Sequence, residues 1–148
     1  MAAARAPLDA RQAAVRLLAA RDRTRAQVDQ ALEARGHGAR ARLEALVELE
    51  RLGYLDDRRT GEALARRWLG EGHSQGGVTQ RLVAKGVDPA LAAAVVKAEA
   101  AASGHTDEVA ARRLLEARGV AGPRAARLLA ARGFSEDLVA RLLGLVAP

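Results

Sequence analysis

The sequence predicts an all-α protein made of three tandem three-helix units, and three observations carry that reading. Ala occurs 36 times and Leu 21 times in 148 residues, whereas Phe, Trp and Tyr occur once each, so strong helix formers dominate and typical strand residues are scarce. Apolar residues recur at spacings of three and four in the segments between glycines. One helix ending is written three times: Ala31-Leu32-Glu33-Ala34-Arg35-Gly36, Arg81-Leu82-Val83-Ala84-Lys85-Gly86 and Leu128-Leu129-Ala130-Ala131-Arg132-Gly133, with glycines 50 and 47 residues apart. A period of this size signals stacked supersecondary units, each too small to bury its apolar face alone. The expected units are 1–53, 54–104 and 105–148, in an elongated, curved helical-repeat molecule. His37 stands in the first unit where Val87 and Phe134 stand in the others.

The elements follow in order. Leu8 to Ala20 is one amphipathic helix, with Ala14, Val15, Leu17 and Leu18 as its apolar residues. Thr24-Arg25-Ala26-Gln27 matches a capping box and starts a second helix that carries Val28, Ala31 and Leu32 and stops at Gly36. A third, from about Ala39 to Leu52, offers Leu43, Leu46, Val47 and Leu49 at helical spacing before Gly53. Asp56 and Asp57 supply the cap and the negative first turn of a fourth, running to Gly70 with Leu64, Ala65, Trp68 and Leu69 as its stripe. A glycine-rich connection, Gly70 to Gly77, precedes a fifth helix marked by Val78, Leu82 and Val83. Asp88-Pro89 opens the sixth, with Leu91, Val95 and Val96. Thr106-Asp107-Glu108, Gly122-Pro123 and Ser135-Glu136-Asp137 open the last three.

Composition narrows the function classes. With no cysteine, disulfides, thiolate zinc sites and Cys nucleophiles are excluded, and a reducing compartment, the cytoplasm, is expected. No apolar run reaches membrane-spanning length, so no membrane insertion is expected. The Arg-rich opening superficially resembles a transit peptide, but Asp9 and Asp22 interrupt it and its apolar pattern recurs later in the chain; it reads as the first helix.

No catalytic constellation emerges. His37, His73 and His105 are 36 and 32 residues apart and fit no metal-ligand spacing. The Gly70–Gly77 stretch lacks the strand, the Gly-Lys-Ser/Thr ending and the ribose-binding acid of a phosphate loop. Asp56 and Asp57 read as caps rather than paired acids, and no nucleophile elbow is present. The expectation is a protein that is not an enzyme and uses no metal or cofactor.

The basic residues remain. Lys and Arg number 24 against 18 Asp and Glu, a net charge of +6, and 22 of the 24 are Arg. An anionic partner fits that balance, although G+C-rich codon usage raises Arg, Ala and Gly together. Candidate phosphate contacts are Arg58, Arg59, Arg66 and Arg67 on the fourth helix, Arg40 and Arg42 earlier, and Arg112 and Arg113 later. The bland reading is a solvated face with partners such as Glu62 for Arg66. Charge is spread as +3, +1 and +2 over the three units, so none is a separate basic module. With three aromatics and Trp68 in an apolar stripe, nucleic-acid contacts are expected to phosphate, salt-sensitive and weakly specific.

A resemblance sharpens this. Leu17-Leu18-Ala19-Ala20-Arg21 followed by Thr24-Arg25-Ala26-Gln27-Val28, Leu32 and Gly36 resembles the opening unit of the bacterial RecX family of recombination regulators. Gly53-Tyr54-Leu55-Asp56-Asp57 resembles that family's most distinctive stretch, joining its first and second units. Gly72, Val78, Leu82 and Lys85-Gly86-Val87-Asp88 resemble its second-unit segment. The chain departs from the family pattern at Thr60, at Ala63-Leu64 and over His73–Gly77. The resemblance implies a regulator that binds the RecA recombinase, chiefly its filament on single-stranded DNA, and restrains ATP hydrolysis, strand exchange and coprotease activity in DNA repair and the SOS response. A monomer is expected. Two other classes stay open: a stand-alone DNA-binding protein that grips the phosphate backbone, and a helical-repeat scaffold for an acidic protein.

Overall fold

The computed structural model describes residues 8–145, and among them every regular element is an α-helix. In chain order these are α1 Ala10–Ala20, α2 Arg25–Ala34, α3 Ala39–Arg51, α4 Asp57–Gly70, α5 Gln75–Ala84, α6 Pro89–Ser103, α7 Asp107–Arg118, α8 Gly122–Ala131 and α9 Glu136–Leu142. Side-chain caps start most of them, whereas α3 and α8 have none. Asp9 and Thr24 close full capping boxes with Gln12 and Gln27. Asp56 Oδ1 accepts from Arg59 N at 3.1 Å and so caps α4. Asp88, Thr106 and Ser135 cap α6, α7 and α9.

The helices gather into two compact bodies. Among the described residues, one comprises 8–60 together with Lys85–Val87. Its core is Ala10, Ala13, Ala14 and Leu17 of α1, Val28 and Leu32 of α2, Ala45, Leu46 and Leu49 of α3, and Leu55. The sequence pattern also offered Leu43 and Val47 to this core, but each is 54% exposed. The reason is geometric: α3 packs on both α1 and α2 with the face that carries Ala45, Leu46 and Leu49, and Leu43 and Val47, four apart, share the opposite face.

The second body comprises, among the described residues, Gly61–Ala84 and 88–145. Here α5 packs on α6 and α8 on α9. Ala111, Leu114, Leu129, Phe134, Leu138 and Val139 form one core cluster. After Thr60, a Cβ added at Gly61 would meet Val95 Cγ1 at 3.8 Å, so α4 and α6 are in contact there. Trp68 is buried, with the Arg81 guanidinium 5.3 Å from its ring centroid. The glycine-rich connection proves shorter than its composition suggested. Ser74 Oγ accepts from Gly77 N at 2.9 Å, so Gly76 and Gly77 form the first turn of α5 rather than a loop.

Each body contains one joint of the same plan, built where the C-terminal turn of one middle helix meets the N-terminus of another. In the first body, the turn after α5 meets α2. Thr24 Oγ1 donates to Lys85 O at 2.5 Å, and Asp57 Oδ1 accepts from Arg25 N at 2.8 Å. In the second, the turn after α8 meets α5. Ser74 N donates to Arg132 O at 3.0 Å, and Asp107 Oδ1 accepts from Gln75 N at 3.0 Å. Thus Asp57 and Asp107, each the first residue of its own helix, cap the first amide of a different helix. A helix end left with an orphan donor thereby gains a charged acceptor.

Candidate functional site

The eight arginines singled out by sequence are divided between the two bodies. Arg40, Arg42, Arg58 and Arg59 belong to the first; Arg66, Arg67, Arg112 and Arg113 belong to the second. Arg40 pairs with Glu44 at 3.1 Å in full solvent. Arg42 is different in kind: its side chain is only 17% exposed, Nε donates to Asp29 Oδ1 at 2.8 Å and Nη1 donates to His37 O at 2.8 Å. It ties α3 to α2. Arg59 Nη1 donates to Gly53 O at 3.0 Å, closing the Gly-Tyr-Leu-Asp-Asp turn, while Arg58 is exposed with no side-chain partner among the described residues.

In the second body Arg66 makes two bonds to Glu99, at 3.0 and 3.3 Å, rather than pairing with Glu62 along its own helix. Glu99 on α6 offers both carboxylate oxygens to the guanidinium fork, and that two-pronged fit outcompetes a single helical neighbour. Arg67 pairs with Glu71 and Arg112 with Glu108, each at 3.0 Å. Arg113 carries no partner among the described residues and, with Arg66, lines a groove of about 420 Å³ that also holds Glu71 and Glu99. These two of the eight share that groove.

The motif residues hold the fold around these arginines. Gly53 ends α3 at φ +78°, Leu55 is buried in the core and Asp56 caps α4, whereas Tyr54 is 58% exposed. Lys85 and Gly86 form the turn that meets α2. At Gly86, φ is +93° and an added Cβ would collide with Ala26 Cβ.

The three histidines stand apart. His73 is 4% exposed, and burial, then Arg81 and Arg132, hold its pKa below the ordinary histidine value against the opposing pull of Glu71. His105 Nδ1 lies 3.5 Å from Gln75 Nε2, and its Nε2 is buried without a partner. No group of three or more His, Cys, Asp or Glu is placed to hold a metal ion among the described residues. No helix among them is long and apolar enough to cross a membrane.

Sequence reasoning overlooked three further arginines, Arg16, Arg23 and Arg35, which line one groove with His37. A signal for them existed. None of the three has an acid three or four residues away on either side, whereas Arg40, Arg67 and Arg112 each have one.

Comparison with known proteins agrees with this architecture. Residues 10–49 match the first three-helix domain of RecX. The structure is similar to RecX from Lactobacillus salivarius, with a TM-score of 0.64 and 19% identity over 93% of this chain and 96% of that one. It is also similar to a second solved protein, described as regulatory protein RecX, with a TM-score of 0.70 and 17% identity over 93% of this chain and 72% of that one. No curated protein sequence matches the chain. At these identities the structural likeness speaks for the fold, and the sequence match speaks for the domain at residues 10–49. Residues 10–49 therefore carry the first three-helix domain of RecX, on an all-helical fold similar to that of two solved RecX structures.

Proposed function

We propose that this protein is a cytoplasmic, non-catalytic regulator that binds the RecA recombinase, chiefly as its filament on single-stranded DNA, and restrains ATP hydrolysis, strand exchange and coprotease activity. The observation that carries the reading is the match of residues 10–49 to the RecX first three-helix domain. The three-unit division at 1–53, 54–104 and 105–148 belongs to the same proposal, because a repeated helical unit offers successive surfaces to a repeating filament.

The mechanism is occupancy. A protein seated along the filament excludes incoming duplex DNA and hinders filament growth, with no bond made or broken by its own side chains. Arg58 and Arg113 are assigned the leading phosphate contacts, because each is exposed and has no carboxylate to surrender. Arg59 acts beside Arg58. Arg40, Arg67 and Arg112 contribute by exchanging exposed carboxylate partners for phosphate, at little cost since such pairs are weak, and Arg66 contributes less because it must give up two bonds to the largely covered Glu99. Arg42 serves to hold α3.

The test is co-sedimentation with recombinase filaments on single-stranded DNA. Arg58→Ala with Arg59→Ala is expected to weaken filament binding about tenfold with unchanged helicity, in line with the loss of two phosphate contacts. Unchanged binding by that pair moves the contact surface elsewhere. Absence of any filament binding by the folded wild type removes the recombinase reading and leaves the DNA-binder and scaffold classes.

A further inference from the structure

In the first body, α1, the link after it and the C-terminal turn of α2 line a groove of about 460 Å³. Its floor is apolar: Leu8, Ala13, Leu17 and Ala20. Its rim is cationic: Arg16, Arg23 and Arg35, with no carboxylate among the lining residues.

The charge there is unneutralised, for none of the three guanidinium groups holds a carboxylate among the described residues. Arg23 Nε donates to Leu17 O at 3.4 Å and Arg35 Nη1 donates to Ala31 O at 3.0 Å, while Arg16 has no partner among the described residues. Backbone carbonyls orient these guanidinium groups and leave the positive charge in place. Elsewhere in the same body Arg25, Arg40, Arg42 and Arg51 each hold a carboxylate. The groove of the second body is balanced, Arg66 and Arg113 facing Glu71 and Glu99. His37 points the same way: its repeat equivalents Val87 and Phe134 are buried in cores, whereas the first repeat puts an imidazole on this groove.

We infer that this groove docks an acidic amphipathic helical segment of a protein partner. Apolar side chains of the segment cover Leu8 and Leu17, and its carboxylates meet Arg16, Arg23 and Arg35. A bare phosphate chain would satisfy the rim and leave the floor wet; a helix with leucines along one edge and glutamates beside them satisfies both. The inference stands on this groove alone and is independent of the recombinase reading.

The experiment is fluorescence anisotropy on the full chain with a short Glu/Leu peptide whose leucines lie at helical spacing. Its controls are a permuted peptide of the same composition and a single-stranded oligothymidine. The patterned peptide is expected to bind at least about tenfold more tightly than the permuted one. Arg16→Glu is expected to weaken it about tenfold, and the exposed floor variant Leu8→Ser severalfold, while Arg124→Glu, at an exposed position in the second body, changes nothing. Arg16 is exposed and supports no internal contact, so its variant tests binding without unfolding the protein. Equal binding of the two peptides, or no effect of Arg16→Glu, overturns the inference. Tighter binding of the oligothymidine with the same Arg16→Glu loss assigns the groove to nucleic acid and also overturns it.

Discussion

The two joints, one at the start of α2 and one at the start of α5, show how one plan tolerates different residues. At α2 the contact is made through side chains: the Thr24 hydroxyl reaches Lys85 O, and the Ala26 methyl lies against Gly86. At α5 it is made through backbone: Ser74 N reaches Arg132 O, and two glycines, Gly77 and Gly133, face one another. A Cβ on Gly133 would sit 2.5 Å from Gly77 Cα, and one on Gly77 would sit 2.6 Å from Arg132 O. The shorter donor draws the partner turn closer, and glycine on both sides is the consequence. The first repeat offers the control, since Gly36 ends α2 in the same left-handed conformation with nothing within 4 Å of an added Cβ.

That contrast orders the expected effects of substitution. Gly133→Ala forces an L side chain into the left-handed region and into backbone that cannot yield, and is expected to destabilise by about 3 kcal/mol or more. Gly86→Ala, whose Cβ would collide with the Ala26 Cβ, itself fixed to its backbone, is expected to cost a similar amount, about 3 kcal/mol or more. Gly36→Ala carries only the conformational term, about 1 kcal/mol. Urea midpoints of the three variants check the order, and a Gly36→Ala loss as large as that of Gly133→Ala would remove the distinction.

Next come the caps donated between helices. Asp57→Ala and Asp107→Ala each leave the first amide of α2 or α5 without its acceptor and are expected to cost about 1 kcal/mol. Asp57→Asn, which keeps an oxygen acceptor, should restore most of the loss in thermal melts. A smaller and pH-dependent effect falls on the second joint. His73 has a folded pKa below its ordinary value of about 6.5, so the unfolded chain binds the proton more readily. Its contribution to stability is therefore complete above about pH 6.5 and is lost as pH falls from there through the folded value. The His73→Gln variant is expected to show a flatter stability profile across that window than the wild type. Least affected is Arg40→Ala, expected to change stability by less than about 0.5 kcal/mol because the pair with Glu44 is fully solvated.

Much of the fold could be read locally. Thr24-Arg25-Ala26-Gln27, Asp88-Pro89 and the glycines after α2, α5 and α8 state helix ends through interactions spanning three or four residues. What escaped is what depends on distant partners. Leu43 and Val47 fit the helical period of α3 as well as Leu46 does, and only the neighbours of that helix decide which face is covered. Asp57 and Asp107 look like caps of their own helices, and their bonds to Arg25 N and Gln75 N span 32 residues. Glu99 as the partner of Arg66 is 33 residues away. Among the arginines, sequence adjacency favoured Arg58-Arg59, Arg66-Arg67 and Arg112-Arg113, whereas the unneutralised groove of Arg16, Arg23 and Arg35 is scattered along the chain and marked only by the lack of nearby acids.

The most direct test of the regulatory reading is ATP hydrolysis by the cognate recombinase on single-stranded DNA, titrated with this protein from far below equimolar to equimolar amounts. Inhibition well below equimolar is expected, because one bound copy affects many protomers of a filament. Undiminished hydrolysis at equimolar addition of the folded, helical protein would contradict it.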